Sequence, residues 1–190
     1  MLQVYTGSGK GKTTAAIGLC MRALGAGMKV YIMQFMKGLA YSEQKILRGF
    51  SPQLELFTTG KPFFVAEEGM LSEEDKKKWG DEVVIFPPGK PPADYVKLIA
   101  DGFESAQKAA SSGQYGVVVL DELNVALFFG LIPREKVEQL LDDLPSATEL
   151  VITGRNAPDW LLARADLVSE IKEVKHYYQQ GIAARRGIEN

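Results

Sequence analysis

A glycine-rich segment near the start of the chain carries residue types that bind phosphate. It consists of Thr6, Gly7, Ser8, Gly9, Lys10, Gly11, Lys12, Thr13 and Thr14. Glycines allow several backbone N–H groups to point at one anion, Lys12 adds a mobile positive charge, and the Thr13 hydroxyl can ligate Mg2+. The segment therefore predicts a nucleotide phosphate loop. A glycine-rich turn without a ligand is the weaker interpretation, because the triplet Gly-Lys-Thr stands between a predicted strand and a predicted helix.

The spacing of this segment differs from the usual phosphate loop by one residue. The usual pattern places a glycine five residues before the Gly-Lys-Ser/Thr triplet begins, which is position 6 here. Position 6 is Thr6 and the glycine follows at Gly7. We therefore expect a tighter loop, or one whose first corner is built differently, with the additional lysine Lys10 inside it.

Further candidate residues follow the predicted strands. Asp121 and Glu122 end an apolar run at residues 115–120, as in nucleotide-binding proteins whose strand-end carboxylate holds Mg2+ or its water. Gln34 and Lys37 follow a second run, and Arg155 follows a third, from which it could reach a phosphate by a forked contact. Ligands of open α/β sheets bind beyond the carboxyl ends of the strands. The alternative for Asp121 and Glu122 is a buried strand that happens to end in acids. The alternative for Lys37 and Arg155 is an ordinary polar loop.

The elements that must position these residues alternate between strands and helices. Apolar patterns predict strands at residues 2–5, 29–35, 54–57, 115–120, 149–153 and 166–171, and helices at residues 13–26, 42–48, 93–112, 133–141 and 158–163. Near-continuous apolar strands suit a parallel sheet covered on both faces. We therefore expect one α/β domain over residues 1–190, with residues 61–96 forming a lid or insertion.

Composition narrows the classes of chemistry. The net charge of −2 disfavours nucleic acid as a partner, and no apolar run is long enough to span a membrane. The chain begins directly with an apolar strand, so we expect no signal peptide and a cytoplasmic protein. One cysteine, Cys20, and one histidine, His176, disfavour thiolate clusters, His-based triads and multi-His metal sites. Any chemistry should therefore come from nucleotide, Mg2+ and a second substrate, and we expect His176 to be structural.

Five segments of the chain together resemble one family. They are residues 6–16, 34–38, 119–123, 152–155 and 174–176, the last followed by a matching ending at residues 181–188. The order and motifs of these segments resemble the ATP:corrinoid adenosyltransferases of the CobA/BtuR/CobO type, over nearly the whole chain outside residues 61–96. In that family the shortened phosphate loop is a regular feature. Ser8 replaces the family's usual asparagine.

The resemblance implies a RecA-like P-loop NTPase fold, with a mostly parallel sheet and helices on both faces. It implies transfer of the 5′-deoxyadenosyl group of ATP to the Co(I) of a corrinoid, with release of triphosphate. It also implies that the enzyme is a homodimer and that a flavoprotein or other reductant reduces the cobalt. The reduced cobalt is the nucleophile, so no side chain acts as acid or base. ATP is expected to lie reversed relative to kinases, with its γ-phosphate deep in the loop.

The resemblance also assigns residues to each ligand. ATP would be bound by Gly7, Ser8, Gly9, Lys10, Gly11, Lys12, Thr13, Thr14, Arg22 and Arg155. Mg2+ would be held by Thr13 and Glu122, and Asp121 would contact these ligands without binding the ion itself. The corrinoid side would include Phe63, Phe64, Gln34 and Lys37, although the family's usual Phe-x-Trp after Thr-Gly is replaced here by Lys-Pro-Phe-Phe. A small-molecule kinase and a nucleotide-binding module without turnover are the alternative functions.

Overall fold

Eight strands and seven α-helices form the described part of the chain. A computed structural model describes residues 1–38, 41–80, 83–182 and 184–189, apart from the side chains of residues 64, 75, 78 and 79. The strands are β1 Leu2–Thr6, β2 Val30–Gln34, β3 Leu54–Thr58, β4 Phe64–Glu67, β5 Val83–Phe86, β6 Val117–Asp121, β7 Glu149–Thr153 and β8 Leu167–Glu170. The helices are α1 Lys12–Gly25, α2 Ser42–Leu47, α3 Glu73–Trp79, α4 Ala93–Ser111, α5 Leu123–Phe128, α6 Arg134–Asp142 and α7 Asp159–Arg164.

Six of the strands form the central sheet, in the order β3-β2-β6-β7-β1-β8. Each pairing is parallel. Gln34 at the end of β2 lies opposite Asp121 at the end of β6, while β7 separates β6 from β1. The parallel sheet with a strand, glycine loop and helix at its start confirms the predicted α/β fold of the P-loop class.

Successive residues of the central strands pack into two apolar clusters on opposite faces of the sheet. One face packs against α1 and α2, and its buried strand residues are Tyr5, Val30, Ile32, Leu54, Val117, Val119 and Val151. The other face packs against α4 to α7, and its strand residues include Val4, Tyr31, Met33, Val118, Leu120, Leu150 and Ile152. Because both faces are covered, nearly every residue of these strands is apolar, as expected for a parallel sheet.

The region between residues 61 and 96 contains a β-α-β unit that the sequence did not resolve. β4 and β5 pair in parallel as a second, two-stranded sheet, and α3 connects them. Val65 and Phe86 are buried in the same cluster as α4, and the Phe86 ring lies 5.8 Å from Phe129, just after α5. The insertion is therefore packed against the main core. Its expected role as a lid stays a prediction.

Two local features also differ from the sequence-based expectations. Helix α5 was not predicted, because six residues directly after an acidic pair are too few to establish a periodic pattern. Pro133 lies one position before α6 in an extended conformation and not in its first turn. Within the described residues, no helix combines the length and apolarity needed to cross a bilayer.

Candidate active site

The glycine-rich loop connects β1 to α1 and encloses the side chain of its own lysine. Gly11 has a φ of 120°, which glycine adopts readily, and α1 begins directly after it at Lys12. The Lys12 ammonium donates to the carbonyl oxygens of Gly7 (2.7 Å) and Gly9 (2.8 Å). Burial lowers the pKa of Lys12, and the negative charge of Glu122 partly offsets this by raising it. The loop therefore holds a cation beside the first turn of a helix, where anions bind.

The segment that follows β8 builds the first corner of the loop. Gly9 N donates to Ile171 O (2.7 Å), and Ile171 N donates to Thr6 O (2.8 Å). Gly7 has a φ of 98°, and a Cβ at that position would lie 2.4 Å from Ile171 O. Thr6 ends β1 and accepts from Ala157 N through its hydroxyl (3.3 Å). The corner therefore needs glycine at position 7, which explains the shift from position 6.

Asp121 is the centre of a buried polar network beneath the loop. Its Oδ1 accepts hydrogen bonds from the hydroxyls of Thr13 (2.9 Å) and Thr153 (2.6 Å). Its Oδ2 accepts from Gln34 Nε2 (3.1 Å) and from the Lys37 ammonium (2.8 Å). Burial alone would lower the pKa of Lys37, but the charge and hydrogen bond of Asp121 raise it. These contacts satisfy both carboxylate oxygens and join β2, β6 and β7 to α1.

Glu122 turns out of the sheet beside this network. Its backbone has a φ of 63°, and its N–H donates to Thr153 Oγ1 (3.1 Å). The side chain lines the cavity described below. Burial, and then the charge of Asp121, raise the pKa of Glu122, while the nearby cations Lys37, Lys12 and Arg155 lower it. A cation bound beside Glu122 would stabilise the charged form of this carboxylate.

A cavity of about 690 Å³ lies over the phosphate loop. Its walls include the predicted residues Ser8, Gly9, Lys10, Gly11, Lys12, Thr13, Thr14, Lys37, Glu122 and Arg155. The structure thus brings together the phosphate loop, one strand-end acid and an arginine from another strand end. The other walls, which the sequence did not predict, comprise Ile17, Tyr41, Ser42, Glu43, Ile46, His176, Gly187, Ile188 and Glu189.

The cavity walls do not include five other predicted residues: Gly7, Arg22, Gln34, Phe63 and Asp121. Arg22 is exposed farther along α1 and does not line the cavity. Gln34 is fully buried, and it touches the site through Asp121. Phe63 is half-buried, with its ring 6.0 Å from that of Tyr95. The side chain of Phe64 is outside the described part of the chain.

The carboxy-terminal segment closes one side of the cavity. The Lys10 ammonium donates to Ile188 O (3.0 Å) and lies 3.7 Å from the Glu189 carboxylate. Glu189 also accepts from the backbone N–H and guanidinium of Arg185 and from the Tyr177 hydroxyl. His176 lines the same cavity, so it lies next to the phosphate loop although the two are far apart in the sequence. Periodicity could not reveal this, because the contacts join residues more than 160 positions apart.

The metal-binding capacity of the site comes from oxygen ligands. Among the described residues, no group of three or more His, Cys, Asp or Glu side chains could hold a metal ion. Mg2+ usually takes only one or two carboxylates from the protein and completes its shell with substrate phosphates and water. Thr13 gives its hydroxyl hydrogen to Asp121, which leaves its oxygen lone pairs for a cation, and Glu122 is the adjacent carboxylate. The donor set fits a nucleotide-bound Mg2+.

The chain is similar in sequence to known proteins over almost its whole length. A corrinoid adenosyltransferase of Pseudomonas aeruginosa is 34% identical over 190 residues, covering 100% of this chain and 83% of that protein. A corrinoid adenosyltransferase of Escherichia coli is 30% identical, covering 98% of this chain and 83% of that protein. Among solved structures, a KaiC-like protein of Pyrococcus horikoshii aligns with a TM-score of 0.46 and 14% identity, over 92% of this chain and 74% of that one.

The family assignment follows from the whole length of the chain. The sequence matches the model of the family described as "ATP:corrinoid adenosyltransferase BtuR/CobO/CobP" over residues 1–190. The chain therefore belongs to the ATP:corrinoid adenosyltransferase family.

Proposed function

We propose that the protein transfers the 5′-deoxyadenosyl group of ATP to the Co(I) of a corrinoid, either cobalamin or cobyrinic acid a,c-diamide. The observation that carries this proposal is the cavity in which the phosphate loop, Glu122 and Arg155 face one space. Membership of the family supports it.

The reaction requires no acid or base from the protein. The electron pair of Co(I) forms a bond to the C5′ atom of ATP, and the C5′–O bond breaks with its electron pair leaving on triphosphate. No proton moves in this step. The work of the chain is therefore to orient ATP and to stabilise negative charge on the leaving group. Lys10, Lys12 and Arg155 are the cations that line the cavity for this purpose, together with Lys37.

ATP binds with its γ-phosphate deepest in the loop, near Lys12 and Thr13. In this orientation the C5′ atom faces the open side of the cavity, where a corrinoid can approach. Apolar side chains of Ile17, Ile46 and Ile188 also line the cavity and offer contacts to the adenosine. Ile46 and Ile188 are largely exposed, at 65% and 56%, so a bound ligand would bury apolar surface there.

Mg2+ is held by Thr13 and Glu122, and Asp121 orients the Thr13 hydroxyl. When bound, the ion neutralises part of the triphosphate charge. Arg22 is exposed on α1 outside the cavity lining, and its contact with ATP stays a prediction from the family resemblance. The hydrogen bond from Thr13 to Asp121 and the position of Glu122 in the cavity wall support these roles.

The corrinoid approaches from the side that carries Lys37 and the insertion. Lys37 lines the cavity, whereas Gln34 is buried and acts through Asp121. Phe63 directly precedes β4 and Phe64 begins it. The backbone of Lys61 and Pro62, just before them, lies against Gly38, the residue after Lys37. We assign the β-α-β insertion as the wall or lid of the corrinoid side. The active form is a homodimer in the cytoplasm, and a flavoprotein or other reductant supplies Co(I).

Incubation with ATP, Mg2+ and chemically reduced cobalamin tests the proposal. Absorbance reports the cobalt–carbon bond, and phosphorus NMR distinguishes triphosphate from ADP. We expect cobalt–carbon bond formation with one triphosphate released per bond. A small-molecule kinase would yield ADP and a phosphorylated acceptor, and a binding module would yield neither product. Either result would refute the proposal.

A further inference from the structure

Two buried glutamines connect the metal-binding end of the site to the opposite wall of the cavity. Gln44 lies on α2 and is 3% exposed, and Gln34 at the end of β2 is fully buried. Gln44 Nε2 donates to Gln34 Oε1 at 2.9 Å, and Gln34 Nε2 donates to Asp121 Oδ2 at 3.1 Å. Asp121 in turn accepts from Thr13. An unbroken chain of hydrogen bonds therefore runs from α2 to the Thr13 hydroxyl.

Gln44 is the donor that satisfies the carbonyl end of Gln34. The Asp121 carboxylate only accepts, so the NH2 end of Gln34 faces it, and the Oε1 end of Gln34 needs a donor, which Gln44 supplies. The reverse orientation would place Gln34 Oε1 against Asp121 Oδ2, and two acceptors would then face each other in a buried site. Buried polar groups without partners are costly, which makes the orientation of Gln34 sensitive to its neighbour.

Gln44 also holds the start of α2. Its Oε1 accepts from Tyr41 N (3.4 Å), the residue that precedes the helix. Tyr41 lines the cavity together with Ser42, Glu43 and Ile46 of the same helix. The α2 wall and the Thr13–Asp121 pair are thus tied to the same side chain.

We propose that Gln44 is a positioning residue for nucleotide-bound Mg2+, acting through Gln34 and Asp121 on the Thr13 hydroxyl. The inference rests on the proposed function for the location of Mg2+ at Thr13 and Glu122. Gln44 contacts neither ligand, because its side chain is used by Gln34 and by the start of α2. Its loss should therefore weaken the Mg2+-dependent part of ATP binding and spare the part that depends on the loop alone.

The test compares ATP affinity with and without Mg2+ in purified full-length variants, using a fluorescent ATP analogue. Gln44→Met keeps the length of the side chain and removes both polar groups, and Gln44→Glu keeps the shape and replaces the donor by an acceptor. The loss of one buried hydrogen bond corresponds to about fivefold in an equilibrium constant. We expect the Mg2+ concentration for half-maximal ATP binding to rise about fivefold or more in both variants. Affinity without Mg2+ should stay within about twofold of the wild type.

Two controls separate positioning from a merely structural role. Gln139→Met replaces an exposed glutamine on α6 and should change neither affinity. In a Gln34→Met background, adding Gln44→Met should cause no further loss, because the two residues act in one chain. Thermal unfolding of each variant checks that it is folded; if the Met variant is not, the Glu variant carries the same comparison.

Unchanged Mg2+ dependence in both Gln44 variants would overturn the inference, and so would an equal loss of affinity with and without Mg2+. The proposed function is tested separately by the wild type. If the wild type shows Mg2+-dependent ATP binding but forms no cobalt–carbon bond, the proposed reaction fails while the role of Gln44 stands.

Discussion

At the scale of single residues, the cations of the site differ in the strength of the partners that they already have. Lys12 is buried in the loop and donates to two carbonyl oxygens, and a charged triphosphate is a stronger acceptor than these. Lys37, in contrast, is already paired with Asp121 at 2.8 Å. The two lysines should therefore differ in their effect on the leaving group.

Substitution of Lys12 should abolish most of the adenosylation activity. We expect Lys12→Ala to lower kcat/KM for cobalamin adenosylation by roughly 10²–10³-fold, the usual cost of removing one group that stabilises developing charge. Lys97→Ala is the matched control, because Lys97 is an exposed α4 lysine paired with Asp101. Initial rates measured by absorbance decide the matter, and a Lys12 variant within twofold of the wild type would contradict the assignment.

At the scale of elements, the phosphate loop depends on the segment that follows β8. A Cβ at Gly7 would collide with Ile171 O, and the positive φ adds strain. We expect Gly7→Ala to destabilise the fold by about 1–3 kcal/mol and to remove measurable ATP binding.

The control for that substitution lies in α1. A Cβ at Gly18 meets nothing within 4 Å. Gly18→Ala should therefore stabilise the protein by about 0.5–1 kcal/mol and leave ATP binding intact. Chemical denaturation and ATP titration measure both variants, and equal stability of the two would show that the loop corner is built differently.

The carboxy-terminal segment is a second element held by charge. The hydrogen bonds from Arg185, and then that from Tyr177, lower the pKa of Glu189 to about 2. The pKa of Glu189 in the folded protein thus lies below its ordinary value of 4.5. The stability that these hydrogen bonds contribute is therefore present above a pH of about 4.5 and is lost as the pH falls towards 2.

Hydrogen exchange measures this effect at the Arg185 amide, which donates to Glu189 Oε2 at 2.7 Å. We expect its protection factor to be maintained from pH 7 to about pH 5 and to fall below that range. In Glu189→Gln the protection should be reduced at every pH. Wild-type protection in the Gln variant would mean that the carboxylate does not hold this segment.

The sequence predicts the elements that carry their own signal and misses those formed by distant contacts. The glycine loop, the Asp121–Glu122 pair and the strands of the central sheet all have local patterns. The pairing of β4 with β5, the contact of Lys10 with Ile188 and the burial of Gln34 depend on which segments meet in the fold. No pattern in the chain distinguishes a strand-end glutamine that faces a ligand from one that faces a carboxylate.

At the scale of the whole molecule, the parallel sheet aligns the strand ends from which the site is built. The insertion shares an apolar cluster with the sheet through Val65 and Phe86, so we expect residues 1–190 to unfold together. Leu150 is fully buried in that cluster, and Leu150→Ala should cost about 2–5 kcal/mol.

Calorimetry provides the measurement for this expectation. A single transition should move down by roughly 4–20 °C in Leu150→Ala, given about 2–4 °C for each kcal/mol in a chain of this size. Leu167→Ala, at an exposed leucine of β8, should shift it little. A second transition that the core substitution leaves in place would show that the insertion is a separate domain.

The orientation of the bound nucleotide tests the central claim most directly. In a crystal structure of the protein with Mg2+ and ATP, we predict the γ-phosphate beside Lys12 and Thr13, and the C5′ atom facing the open side of the cavity. That geometry permits attack on the sugar carbon and departure of intact triphosphate. A γ-phosphate facing the open side, with the ribose buried in the loop, would contradict adenosyl transfer and favour a kinase.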